Sequence, residues 1–126
     1  MNENPLDLIS NCLEEALQTA EHNENDYGFV LNNFMNEFKG KNPEIMKYLN
    51  DTLQIWEVNL VSALQRGKFN GYVDRHIDCE GVASYIISSF LGIRTLMVEG
   101  SATALRYRYM QQLKFYFRAM AQKQPA

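Results

Sequence analysis

His76 stands between Asp74 and Asp78, and Glu14, Glu15 and Glu21 crowd one short stretch of the chain. Imidazoles and carboxylates hold metals and move protons, so chemistry would be sought first at these positions. Their spacing argues against it. The glutamates lack the Glu-x-x-His partners with which a helical bundle builds a di-metal centre. His22 falls in a polar stretch and His76 in a turn, where both read as solvated side chains, and His76 with its two aspartates makes at most a weak metal site. Cys12 and Cys79 fit no metal or redox spacing and read as packing thiols. With no paired nucleophile and base and no glycine-rich phosphate loop, the reading is of a protein without enzymatic activity, cofactor or metal.

Arg94 is a sharper feature. It is the only charged residue between Glu80 and Glu99, set between Ile93 and Thr95 in an otherwise uncharged stretch. A buried, unpaired guanidinium would cost several kcal/mol, so Arg94 must reach a carboxylate, water or a ligand. Two readings stand side by side: an arginine that extends to the surface or to a glutamate, and an arginine that anchors an anionic ligand.

The elements that position these residues are marked by proline and glycine, and between the marks apolar residues recur at helical spacing. The expectation is an all-α bundle of about five helices, near residues 5–21, 27–39, 43–67, 79–99 and 101–121, forming a single domain over 1–126. Asn4-Pro5 and Asn42-Pro43 are each a cap followed by proline at the first helical position. Leu6, Ile9, Leu13, Ala16, Leu17 and Ala20 share one face of the first segment. In the third, Ile45, Leu49, Leu53, Trp56, Leu60, Ala63 and Leu64 lie within an arc of about 100° over roughly 37 Å. Residues 67–77 read as helix fraying into a turn, and Asp78 as the cap of the fourth helix.

That fourth helix is apolar nearly all round, with Val82, Ala83, Tyr85, Ile86, Phe90, Ile93, Leu96 and Met97 on one broad face. Its remaining strip, Ser84, Ser88, Gly92 and Thr95, is small rather than charged, which suits close approach of another helix. The fifth segment adds Leu105, Tyr109, Leu113, Tyr116, Phe117 and Met120. Packed against their symmetry mates, these last two helices would form a four-helix dimer interface, with Ser84, Ser88, Gly92, Thr95, Leu105, Tyr109, Gln112 and Tyr116 at the contact.

The net charge of −3 and pI near 5.3 disfavour direct binding to duplex phosphates, and Arg106, Arg108, Lys114 and Arg118 read as a solvated spread of cations. No apolar run approaches the ~18 residues of a membrane-spanning helix. The opening Met-Asn-Glu-Asn-Pro has no signal-peptide character, so a cytoplasmic location is expected.

The order of segments from Tyr27 to Gly100 resembles the C-terminal domain of the TetR/AcrR transcriptional regulators. Gly28-Phe-Val-Leu-Asn-Asn-Phe-Met-Asn-Glu-Phe38 is similar to the short sixth helix of that family, and Pro43 to Gly67, with Trp56-Glu57 and Ala63-Leu64-Gln65-Arg66-Gly67, to its long seventh. Gly71-Tyr-Val-Asp-Arg-His-Ile-Asp-Cys-Glu80 resembles the connection into helix eight, and Val82 to Leu96, with Gly92 midway, the dimerising helix itself. A three-helix DNA-binding domain, which family members carry at the N-terminus, is not found in this sequence.

The resemblance implies a homodimer that senses a small molecule and, through a DNA-binding domain outside this chain, controls transcription as a repressor. An effector domain needs a concave, largely apolar pocket with a few polar groups. The expected lining is Tyr27, Leu31, Phe34, Met35 and Phe38, then Leu53, Trp56 and Leu60, then Ile86, Phe90 and Arg94. Aromatic and methionine side chains suit an aromatic or otherwise apolar effector. The alternative is a dimeric protein-interaction or structural bundle with a solid interior and no small-molecule ligand.

Overall fold

The computed structural model describes residues 4–22, 43–99 and 102–121. The expected helix at 27–39 lies outside them. The described residues form four helices, α1 (Pro5–His22), α2 (Pro43–Phe69), α3 (Cys79–Glu99) and α4 (Ala102–Met120), and no strand.

Asn4 and Pro5 start α1 as their chemistry dictates. The Asn4 Oδ1 accepts the Leu6 N–H at 3.0 Å and the Asn4 carbonyl accepts the Leu8 N–H at 3.2 Å, while proline gives up only an N–H that a first turn cannot use. The helix buries Leu6, Ile9 and Leu17, with Leu13 partly covered beside them. It continues to His22, so that histidine is the last helical residue and not part of a loop. Cys12 is exposed and does no packing, whereas Cys79 is buried. One face of a helix is enough for the core, and Cys12 falls off it.

The end of α2 is a Schellman motif rather than a frayed end. The Tyr72 N–H reaches back to the Gly67 carbonyl at 2.9 Å, and the Gly71 N–H to that of Lys68 at 3.2 Å, with Gly71 at φ 81°. Gly67 is required for a different reason: a Cβ there would sit 2.6 Å from Val73 Cγ2 and 2.7 Å from Pro5 Cγ. The chain after the motif is then pinned to the end of α4 by a Val73–Ala121 bridge and by the Asp74 N–H on the Met120 carbonyl at 2.8 Å. At the start of α3 the Asp78 carbonyl accepts the Val82 N–H at 2.9 Å.

α3 packs on both α2 and α4, and α1 packs on all three. Among the described residues α2 and α4 do not touch, so α1 and α3 form the centre and α2 and α4 flank it. The core is built from Leu6, Ile9 and Leu17 of α1, Leu64 of α2, Val73, then Val82, Ile86 and Met97 of α3 and Met110, Leu113, Phe117 and Met120 of α4. Leu17 and Leu64 are fully buried, and each contributes roughly 1.5–3 kcal/mol by leaving water. On α2, Ile55 and Val58 are more than half exposed.

Candidate effector site and interface

The expected effector contacts divide into three groups. Tyr27, Leu31, Phe34, Met35 and Phe38 lie outside the described residues. Leu53, Trp56 and Leu60 are half-buried on α2, the helix that packs on α3. On α3, Ile86 is 1% exposed, Phe90 is half-buried, and Arg94 is buried at 3%. Arg94 therefore does not extend to the surface, and it is engaged rather than free. Its place between buried Ile86 and Met97 sets a cation inside an apolar helix face.

The small strip of α3 faces outward. Ser84, Ser88 and Gly92 are exposed and Thr95 is half-buried, its Oγ1 donating to the Leu91 carbonyl at 3.0 Å. A Cβ on Gly92 would meet nothing within 4 Å among the described residues, so none of them needs a glycine there. Tyr85 and Leu96, expected on the covered face, are instead exposed at 52% and 56%. On the helical wheel both side chains lie on the same side of the small strip, next to Gly92. Together they leave an exposed α3 surface of tyrosine, leucine, serine and glycine without a charge.

α4 continues that surface. Leu105, Tyr109 and Tyr116 are half-buried against the core, while Gln112 is exposed. A hydroxyl pair joins the two helices, Ser89 Oγ and Tyr109 Oη at 2.8 Å, and the Tyr85 and Tyr116 rings meet at 4.9 Å with a 56° tilt. Burial pushes the Tyr109 phenol above its ordinary pKa, an effect that the Ser89 bond partly offsets and the nearby Tyr85 adds to. Partial burial, with Tyr85 again adding, also raises Tyr116.

Two concavities lie on another side, along the seam of α1 and α4. One is an open groove of about 690 Å³ beside Glu14, with Arg106, Lys114 and Arg118 among its lining. The other is a cleft of about 320 Å³ at the N-terminal end of α1, bounded by Asn4, Leu6, Asp7 and Ser10 and by Lys114, Phe117, Arg118 and Ala121. Of the expected effector contacts, Leu53, Trp56, Leu60, Ile86, Phe90 and Arg94 are not among the lining of either one. Three of the four cations expected to point apart thus meet along one groove. Residues 106, 114 and 118 fall within about 120° on a helical wheel, which was the available signal. Lys114 Nζ pairs with Glu14 at 3.1 Å.

Ser10 had no such signal. It is 6% exposed and its Oγ has no hydrogen-bond partner, a situation that costs a buried hydroxyl about 1–3 kcal/mol. His76 is exposed, with its backbone N–H on the Asp74 carboxylate at 2.9 Å. Among the described residues no three His, Cys, Asp or Glu side chains gather as a metal site, and no helix is long and apolar enough to cross a membrane.

The family model described as "Tetracyclin repressor-like, C-terminal domain" matches residues 5–112, and the chain belongs to that family. No curated protein and no solved structure gave a significant match.

Proposed function

We propose that this domain homodimerises through α3 and α4 and senses a small apolar or aromatic molecule bound between α2 and α3, as the effector half of a cytoplasmic transcriptional repressor. The observation that carries the dimer is the uncharged, exposed face of α3, where Tyr85 and Leu96 lie beside Ser84, Ser88 and Gly92. Water gains nothing from such a face, and a second copy would cover it. Thr95, Leu105, Tyr109, Gln112 and Tyr116 would lie at or beside that contact.

Support for the effector site is the placing of Leu53, Trp56 and Leu60 on α2 opposite α3, which carries Ile86, Phe90 and the buried cation Arg94. Tyr27, Leu31, Phe34, Met35 and Phe38 complete the proposed lining. The effector acts by preferring one arrangement of α1 over another, and its influence on any DNA-binding domain joined to α1 cannot exceed that preference. Non-enzymatic sensing is consistent with the family.

Native mass spectrometry of the purified chain tests both halves. The expected spectrum is a dimer, with added mass in the small-molecule range or with uptake from a panel of aromatic and apolar compounds. The single tryptophan, Trp56, then reports occupancy by a change in fluorescence. A bare monomer with no uptake and no Trp56 response defeats the reading and leaves a protein-interaction bundle in its place.

A further inference from the structure

The open groove along the seam of α1 and α4 combines exposed aromatic rings with a one-sided charge, and we propose that it docks a partner protein through an amphipathic helix with an acidic flank. The groove holds about 690 Å³, and Met110 in its floor is 4% exposed. Tyr107 and Phe115, also in the lining, are 61% and 68% exposed. Standing eight positions apart, they are spaced roughly 12 Å along α4. Single exposed rings are ordinary, but two beside one concavity offer an apolar partner face something to cover. The Gln111 amide donates to the Tyr107 hydroxyl at 2.8 Å, which steadies that ring before any partner arrives.

Charge selects the partner's flank. Arg106, Lys114 and Arg118 line the groove against one carboxylate, Glu14, which leaves a net charge of about +2 in a chain whose total is −3. α4 has four arginines and lysines and no aspartate or glutamate. α1 has no arginine or lysine, and it sets Asp7 and Glu14 on one side of its wheel. The two banks are therefore opposite in sign. A nucleic-acid strand, charged along its whole length, meets the α1 carboxylates as well as the α4 cations. A helix divides its faces instead: carboxylates turn to α4, uncharged or basic residues to α1, and an apolar stripe between them to Tyr107, Met110 and Phe115.

The groove stays open in the dimer proposed above. Tyr107 and Lys114 lie about 180° around α4 from Tyr116 and Leu105, so a second copy that covers the latter pair leaves the former uncovered. It is separate from the proposed effector site as well, since α2, which carries Trp56, does not touch α4 among the described residues.

Fluorescence anisotropy with the full chain tests the site, the probe being a labelled synthetic helix of about 18 residues with leucines along one stripe and glutamates on one flank. Three further probes accompany it: the same helix with lysine for glutamate, the same helix with serine for leucine, and oligothymidylate. The leucine and glutamate helix is expected to bind saturably at micromolar concentration, and each of the others about tenfold or more weakly. Phe115→Ala should weaken that binding about tenfold through loss of an apolar anchor, and Arg118→Glu further, because an attractive pair becomes a repulsive one. Both residues are exposed, so the thermal midpoint and the oligomeric mass are expected to stay at the parent's values. Parent-like affinity in Phe115→Ala overturns the proposal, as does a serine helix that binds as tightly, since charge alone would then suffice. Tighter binding of oligothymidylate gives the groove to nucleic acid, and a changed oligomeric mass in Phe115→Ala gives it to a second copy; either result overturns the proposal. So does the absence of saturable binding at submillimolar peptide.

Discussion

Two glycines four residues apart serve different ends, and substitution separates them. Gly71 sits at φ 81° with nothing within 4 Å of a would-be Cβ, so Gly71→Ala meets only backbone strain, about 1 kcal/mol. Gly67 is helical, but its Cβ position is occupied by Val73 and Pro5, and Gly67→Ala must push apart the α2 end, the following turn and the start of α1. Equilibrium urea unfolding should show the larger loss at Gly67, about 1–3 kcal/mol, despite alanine's better helix propensity. An unchanged or raised midpoint for Gly67→Ala would mean that this junction is loose. Both glycines are visible in the sequence as punctuation. Only Gly71 matches that role, because a turn is a local requirement, whereas the crowding at Gly67 depends on residues brought from elsewhere in the chain. Ser10 was illegible for the same reason: an orphaned hydroxyl is a property of neighbours. Arg94 was legible as an oddity because eighteen uncharged neighbours in its helix made it one.

At the scale of elements, helix starts were readable and helix companions were not. Asn4-Pro5 announces α1 by local chemistry, and the structure begins the helix at Pro5. That α4 gathers its cations along α1, or that Tyr85 and Leu96 stay uncovered on α3, follows from which helices become neighbours. The α3–α4 joint carries a pH prediction. Tyr109 has a folded pKa above 10.0, the ordinary value, chiefly because it is buried. Below pH ~10 the phenol is neutral in both folded and unfolded chains and imposes no cost. As pH rises past 10 the unfolded chain releases this proton first, and stability falls until the folded-state pKa is passed. Thermal unfolding across pH 8–11.5 should therefore show an alkaline decline. Tyr109→Phe should flatten part of it while lowering stability at pH 8 by about 0.5–1.5 kcal/mol, since the Ser89 bond is lost. An identical alkaline slope in the variant would remove Tyr109 as its source. Tyr116, also raised but nearer the surface, accounts for a smaller remainder.

The whole molecule is where the proposed dimer is decided, and Gly92 gives a clean handle on it. Most interface substitutions confuse lost association with lost folding. Gly92 avoids this, because a Cβ there meets no described residue within 4 Å and it lies in the interior of α3. Gly92→Leu should leave the single chain at least as stable, with a gain of about 0.5–1 kcal/mol from helix propensity. Across a two-fold axis the same leucine appears twice, opposite its own copy or the serines of the strip, where close helix approach has no room for it. The expected result is a chain that unfolds no earlier than the parent and runs as a monomer by sedimentation at micromolar concentration. A standard interface buries about 1,200–2,000 Å², so removing its central helix crossing should weaken association by orders of magnitude rather than shift it slightly. Unaltered dimer mass would take Ser84, Ser88 and Gly92 out of the contact. The exposed pair Tyr85 and Leu96 would then have to be covered by some other partner, and a bundle that docks another protein would explain the uncharged face better than self-association does.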